Sequence, residues 1–384
     1  MYKNVNVKYL AILAVLLVII SSSVTYLVLY PQLRDTAKYD KIVELMEKHY
    51  LYEFDESDLE DGAYAGVVAA LGDSYSCYMN AQSSEDFKAE NAGKALMLGI
   101  TFAVHPDTSA VTVTYVQSQS AASEAGIKIG DVIISINGTD VKGMSTSDIV
   151  ALINKNEDDT CNLLLERNAE KIEINTKLHE FIGDSVIHHN IDGVGYVKIT
   201  EFTTATPEQF KAAVDDLKAQ NVTSVVFDVR NNLGGLTNAL GTVLDEILPE
   251  GDAVRTKSKD GSISVHVHTK GDGWDVPMAV LTNEYTASSG ELFALAIRDF
   301  DKGALIGKKT YGKGVMQSTF NFSDGSAVKL TTAELVDKNG VTYNKIGITP
   351  DIEVAQSEYA VKYSAFITDE QDTQLMAALD YLKN

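Results

Sequence analysis

Residues 278–317 constrain the fold of this chain more tightly than any other stretch. Met278 to Leu281 is an apolar run of strand length, and Ala304 to Ile306 is a second one. Between them stand the small residues Thr286, Ala287, Ser288, Ser289 and Gly290, and then Glu291 to Arg298 at helical spacing, with Leu292, Leu295 and Ala296 on one face. A hydroxyl on such a strand-to-helix turn sits beside unpaired backbone N–H groups at the positive end of a helix. That setting suits the negative charge of acyl transfer. After the second strand comes Gly-Lys-Lys-Thr-Tyr-Gly-Lys-Gly, in which Lys313 lies between two glycines that let the backbone approach closely. A lysine left neutral by burial can serve a serine as its base.

Thr286-Ala287-Ser288-Ser289-Gly290-Glu291, followed 25 residues after Ser288 by Lys313 in Thr-Tyr-Gly-Lys-Gly, resembles the C-terminal processing (tail-specific) serine peptidases. The resemblance implies Ser288 as nucleophile, Lys313 as its base and Gln317, four residues on, as the group that orients the lysine. Position 290 departs from the family pattern, which carries serine there, and the expectation is an intact nucleophile on a looser turn. Asp228-Val229-Arg230-Asn231-Asn232-Leu233-Gly234-Gly235 resembles the family's Asp-x-Arg-Asn-x-x-Gly-Gly element, with Leu233 in place of proline. It implies an oxyanion-hole amide from Gly234 or Gly235, with the N–H of Ser289 as second donor; read alone, the same residues are a tight strand-to-helix turn.

Three rival readings of the central stretch can be weighed. Gly307 to Gly314 nearly matches the phosphate loop G-x-x-x-x-G-K-[ST], but position 314 is glycine, so the magnesium-binding hydroxyl is missing. Val315 to Phe322 is also β-branched and aromatic where a helix would have to start. A serine–histidine–aspartate arrangement would need His179, His188, His189, His266 or His268, none of which stands in a recognisable motif. Finally, Ser288 can merely cap a helix and Lys313 be a solvated loop lysine. The joint spacing with Gln317 favours chemistry.

Composition bounds the rest. The 384 residues suffice for two or three domains. A net charge of −22 argues against a nucleic-acid partner, whose phosphates would be repelled. Cys77 and Cys161 have no metal spacing, no HExxH is present, and neither a metal nor any other cofactor is expected. A disulfide between the two cysteines is the lesser reading.

Taken in order, residues 1–8 form a short tail, and Tyr9 to Tyr30 has no charged residue over a length that crosses ~30 Å of hydrocarbon. No small-x-small cleavage site follows, so a retained single-span anchor is expected. Lys3 and Lys8 precede the span while Arg34, Lys38 and Lys41 follow it, so basic residues do not orient it. The resemblance does, implying a cell-membrane protein with its PDZ and peptidase domains extracytoplasmic. Residues 31–91 read as a helical region, with Ile42, Leu45, Met46 and His49 on one stripe, a second helix near Leu59 to Leu71, and a turn at Gly72 to Ser76. Helical packing, and a homodimer contact, are its readings.

Residues 92–178 change to short strands. Ala125-Gly126-Ile127-Lys128-Ile129-Gly130-Asp131-Val132-Ile133-Ile134-Ser135-Ile136-Asn137-Gly138 carries the Asn-Gly hairpin signal, and Ser145 can cap a helix. Together they resemble a PDZ domain, which binds a peptide C-terminus as an added strand. The resemblance places the carboxylate loop at Leu98, Gly99, Ile100 and Thr101, beside the helix of Ile149 and Leu152. Residues 179–360 alternate strands and helices, with Thr206-Pro207-Glu208-Gln209 as a capping box, and 361–384 end in a helix.

The expected architecture is thus an α/β multidomain chain with a transmembrane helix, a helical segment, a PDZ domain and a crotonase-like Ser-Lys peptidase core. The expected function is that of a membrane-anchored serine endopeptidase acting on unfolded or tail-exposed proteins. The alternatives are a catalytically silent PDZ scaffold and a non-proteolytic ligand-binding protein on the same fold.

Overall fold

The computed structural model describes the backbone of residues 7–154 and 158–383, and within them every side chain except those of 7–12, 26–36, 95 and 272. The chain divides into two units, residues 1–64 and 65–384.

The first unit is built from the helix Val7–His49 and most of the helix Glu56–Ala69. The expected span Tyr9–Tyr30 falls on the first helix, but its side chains 9–12 and 26–30 lie outside the described residues. Among the described residues no helix is long and apolar enough to cross a membrane. Leu13, Leu16, Leu17, Ile19 and Ile20 are each about half exposed, and Ile42 and Leu45 of the expected stripe are exposed as well.

In the second unit, residues 100–177 form a small β-rich domain. Its strands run in the order Ile100–Val104, Val111–Val116, Val132–Ile136, Thr160–Arg167, Glu170–Lys177. The Asn137-Gly138 turn behaves as its sequence requires: both residues have positive φ (50° and 78°), and Ile136 pairs with Thr139 across it. Ser145 caps the helix Thr146–Ile153, its hydroxyl accepting from the Asp148 amide. Val111, Val113, Ile133, Ile136, Ile149 and Leu165 fill the interior, and Cys161 joins them as a free thiol that burial pushes up to about 11. Among the described residues, the strand Ile100–Val104 has a paired neighbour on one edge only.

A two-stranded ribbon, Lys94–Met97 with His179–Ile182, ties this domain to the core. The tip of its first hairpin also touches the C-terminal segment, where Lys362 Nζ and the Tyr363 hydroxyl both donate to Asp107.

The core is a helix between two sheets. One sheet runs Val186–Ile191, Val194–Ile199, Ser224–Asp228, Met278–Thr282, Gly303–Gly307, Ile352–Glu353, parallel from the second strand onward. Its middle strands, Ser224–Asp228 and Met278–Thr282, are buried along their whole length because both faces are covered. The other sheet combines Pro249–Ser258, Ile263–Asp272, Val315–Asn321 and Ala327–Val336 with Cys77–Met79, a strand inside the region read as helical. The helix Ser289–Asp299 packs against strands of both sheets, and its residues 289–297 are all buried. Phe293 on it meets Phe227 edge-to-face at 5.3 Å. The terminal helix Thr373–Lys383 covers the outer face of the first sheet through Leu375, Ala378 and Leu379.

One local expectation fails. Thr206–Ala219 is a helix with Pro207 in its first turn, but no capping box forms. Gln209 instead accepts from the amides of Ser185 and Val186 and donates to the Gly183 carbonyl. A buried strand entry had the stronger claim on that amide.

Beneath the Gly234-Gly235 loop, Arg230 donates to both oxygens of Asp228 (2.9 and 2.6 Å) and to Asp372 (3.0 Å), while the Tyr196 hydroxyl donates to Asp228 (2.7 Å). Burial alone would raise the Asp228 carboxyl; the Arg230 guanidinium outweighs it and brings the group from 3.8 down to about 2. Arg230→Met would strand two buried carboxylates and is expected to cost roughly 3–5 kcal/mol in urea unfolding at neutral pH. A folded-state pKa below the unfolded one gives stability that is complete above pH 3.8 and lost as pH falls toward 2. The wild type should lose stability across that window, and the methionine variant should lose less.

Candidate active site

Three loops meet at one place because three neighbouring parallel strands end there. Ser224–Asp228 leads into Gly234-Gly235, Met278–Thr282 into Ser288, and Gly303–Gly307 into Lys313. Adjacent parallel strands deliver their following loops to the same edge of the sheet, where α/β folds place their sites.

Ser288 has φ 54° and ψ −119°, a conformation that side chains rarely adopt and that its surroundings must hold. The Ala287 amide donates to the Asn232 carbonyl (2.8 Å) and the Thr286 hydroxyl to the Val229 carbonyl (2.8 Å), so the serine turn is stitched to the preceding loop. Asn232 is fully buried and spends its side chain on the same junction, accepting from the Gly234 amide and donating to the Ile199 carbonyl. A Cβ on Gly234 would lie 2.7 Å from Ser288 Cβ, so only glycine fits. A Cβ on Gly290 would come within 3.0 Å of the Asn232 carbonyl oxygen. Glycine at 290 therefore brings Asn232 close to the turn, where a looser turn was expected.

The buried residue Glu291 joins the serine turn to the lysine loop. Its carboxylate accepts from the amides of Ser288 (2.9 Å), Gly312 (2.8 Å) and Lys313 (2.8 Å) and from the Thr310 hydroxyl (2.5 Å). Burial raises this carboxyl above its ordinary value, and the four donors pull the other way. The sequence showed Glu291 as part of a motif without revealing its task, since three of its four partners lie 19 to 22 residues further along the chain.

Ser288, Lys313 and Gln317 line one cavity of about 280 Å³. Burial, and then the ammonium of Lys329, lower Lys313 below the ordinary lysine value; Asp73 and Glu291 oppose the shift. Its Nζ lies 4.7 Å from the centre of the Tyr75 ring, and among the described residues no hydrogen bond joins it to Ser288 or Gln317. Gln317 donates to Thr331 (3.1 Å). Tyr75 comes from the Gly72 to Ser76 turn, which Ser76 pins to the second sheet by accepting from the Thr331 amide. Sequence gave that turn no part in the site.

Of the two candidate oxyanion glycines, Gly234 has its N–H committed to Asn232. The amides of Gly235 and Ser289 have no hydrogen-bond partner among the described residues. None of His179, His188, His189, His266 and His268 lines the cavity; His266 reaches only Thr237 on its wall. Gly307 to Gly314 leads into the strand Val315–Asn321, which offers no helix end to a phosphate.

In the small domain, Leu98 is 2% exposed and belongs to the interior, whereas Thr101 faces outward. Gly99 has φ 83°, and a Cβ there would overlap Ser120. Its amide has no partner among the described residues, while the carbonyls of Leu98 and Gly99 accept from Ala122 and Gln117. Ile149 is fully buried, so of the expected pair only Leu152 is near the surface. A larger cavity, about 780 Å³, opens between Thr101 and Tyr115 of this domain and Lys198 and Asn231 of the core, away from Ser288.

Replacing Glu291 by Gln keeps the shape but puts an NH₂ in place of one of the two oxygens that accept from four donors. Its expected effect is a loss of on the order of 100-fold in kcat, from displacement of Ser288 relative to Lys313. Steady-state kinetics read the loss, and a native-like near-ultraviolet circular dichroism spectrum would separate it from unfolding.

Comparison with known proteins bears on the family and the domains. The family model for Peptidase family S41 matches residues 193–354, that for the PDZ domain residues 97–178, and that for the Activating protease CtpB N-terminal domain residues 23–83. The carboxy-terminal processing protease CtpA of Bacillus subtilis (strain 168) is 31% identical over 326 residues, which cover 84% of this chain and 70% of that one. Staphylococcal relatives at 28% identity are matched over only 65% to 66% of their own length. Among solved structures, the photosystem II D1 C-terminal processing protease superposes with a TM-score of 0.52 at 25% identity, over 88% of this chain and 92% of its own. A Bacteroides fragilis NCTC 9343 protein assigned to the S41 proteases shares the fold, with a TM-score of 0.61 at 19% identity, over 87% and 91% of the two chains. The chain belongs to peptidase family S41, the C-terminal processing serine peptidases.

Proposed function

We propose that this chain is a membrane-anchored endopeptidase that cleaves proteins presented by their C-terminal tails, with Ser288 as nucleophile and Lys313 as its base. The observation that carries the reading is the joint cavity: Ser288 on a constrained turn, a half-buried lysine of lowered pKa, and two unpartnered amides beside the turn. Lys313 leaves the face of Tyr75 and takes the Ser288 proton as the oxygen attacks the scissile carbonyl. The N–H groups of Gly235 and Ser289 receive the oxyanion; loss of one such donor costs on the order of 10²–10³ in turnover. Lys313 then hands the proton to the leaving amine, and water hydrolyses the acyl-enzyme. Gln317 turns from Thr331 to orient the amine.

The PDZ domain presents the open edge of Ile100–Val104 to a peptide strand and the free amide of Gly99 to its carboxylate. The uncharged run from Tyr9 to Tyr30, with its exposed leucines and isoleucines, serves as a single-pass anchor that leaves the PDZ and peptidase domains extracytoplasmic. Ile42 and Leu45 offer an apolar surface to a second copy, which sedimentation would reveal.

Ser288→Ala should abolish cleavage of an unfolded protein, and Lys313→Arg should do the same, because a guanidinium stays protonated and cannot act as a base. Wild-type turnover in the arginine variant would dismiss Lys313 as base, and turnover in the alanine variant would dismiss Ser288. A folded wild type that cleaves nothing, yet binds tails, would leave the chain as a scaffold; binding small apolar molecules alone would leave it as a ligand carrier.

A substrate made with a C-terminal amide should bind and be cleaved more slowly than its free-acid twin, by about tenfold for a lost charge-assisted hydrogen bond. Equal rates would remove tail recognition from the PDZ domain.

A further inference from the structure

The cavity that holds Ser288 contains a second lysine. Lys329, on the strand Ala327–Val336, points its Nζ to within 4.8 Å of the centre of the Phe87 ring. A cation on an aromatic face is held in place, yet its three N–H bonds stay unfilled. Among the described residues, no carboxylate lies within ion-pair distance of it, and no acidic residue lines the cavity. That is a departure in a chain with a net charge of −22. Leu236 and Met316 supply apolar wall on either hand, so the local dielectric favours a direct ion pair over a solvated one.

Lys313 must be neutral to act as a base, so the cation this cavity offers to a substrate is Lys329. After burial, its like charge lowers Lys313 below the ordinary lysine value. That duty does not use its donors, which remain available to a substrate.

We propose that Lys329 is a specificity-determining residue that receives a substrate carboxylate close to the cleaved bond, supplied either by an acidic side chain or by the free C-terminus. This rests on the reading that Ser288 cleaves peptides. The gain appears mainly in KM, since the pair forms in the bound ground state as well as in the transition state.

The test uses the full chain and peptides without other charged side chains that differ only by Glu or Gln, placed in turn at each of three positions on either side of the cut. A further pair ends two residues beyond the cut as free acid or amide. The wild type should prefer the carboxylate member of at least one pair by about tenfold in kcat/KM. Lys329→Met, which keeps the stem over Phe87, should bring that ratio to about one, and Lys329→Arg should retain it. A ratio is read because any common effect on Lys313 cancels within it. A side-chain preference lost in the methionine variant identifies an acidic residue as the ligand, and a free-acid preference lost there identifies the C-terminus. Ratios of one throughout in the wild type, or a preference that survives Lys329→Met, would overturn the proposal; the second outcome assigns a free-acid preference to the PDZ domain. Absence of any Ser288-dependent cleavage is a different failure, which takes down the peptidase reading and this inference with it.

Discussion

The site depends on one buried carboxylate. Glu291 receives hydrogen bonds from Ser288, Thr310, Gly312 and Lys313, and so binds the start of a helix to a loop that follows the next strand. Neither segment is self-supporting: Ser288 sits at a positive φ, and Lys313 is flanked by glycines. A carboxylate with four donors in a low-dielectric interior has few alternative arrangements, and its burial makes leaving any donor unfilled costly. The proposed nucleophile and the proposed base are placed relative to each other by a residue to which no chemical step is assigned.

Around that junction, close backbone approach replaces side-chain packing. Gly234 lies against Ser288, Gly235 against Phe202, and Gly290 against Asn232. The absent side chains let three loops pack against one another while leaving two amides without partners among the described residues, the arrangement an oxyanion needs. The parallel sheet beneath makes the approach possible, and the network of Asp228, Arg230 and Asp372 holds the Gly234-Gly235 loop from below while tying it to the C-terminal helix.

Charge is arranged at two scales. The whole molecule is strongly acidic, which favours solubility and sets no specificity. The cavity at Ser288 is the reverse, holding two lysines and no carboxylate among its lining residues. One lysine rests on Tyr75 and the other on Phe87. Aromatic faces hold cations without neutralising them, so the lysines stay close enough to lower Lys313.

Much of this was legible in the sequence, because the signals were local. Apolar runs bounded by turns gave the strands of the core, Asn137-Gly138 gave a hairpin of the small domain, Ser145 gave a helix cap, and the family resemblance named Ser288, Lys313 and Gln317, three residues that line one cavity. Contacts between segments distant in the chain were not legible. Tyr75 reaches Lys313 from a turn, and Phe87 and Lys329 reach the cavity from a helix and a strand, which no spacing rule connects; the strand Cys77–Met79 belongs to the second sheet only because Ala327–Val336 offers it an edge. Gln209 likewise left its expected cap for a strand entry across the core. Sequence alone determined which residue types stand at each turn, since backbone geometry and period act over a few residues. Only the tertiary structure decided which amides stay free, which carboxylate organises the site and where each lysine rests, because those depend on which buried donors and acceptors find one another first.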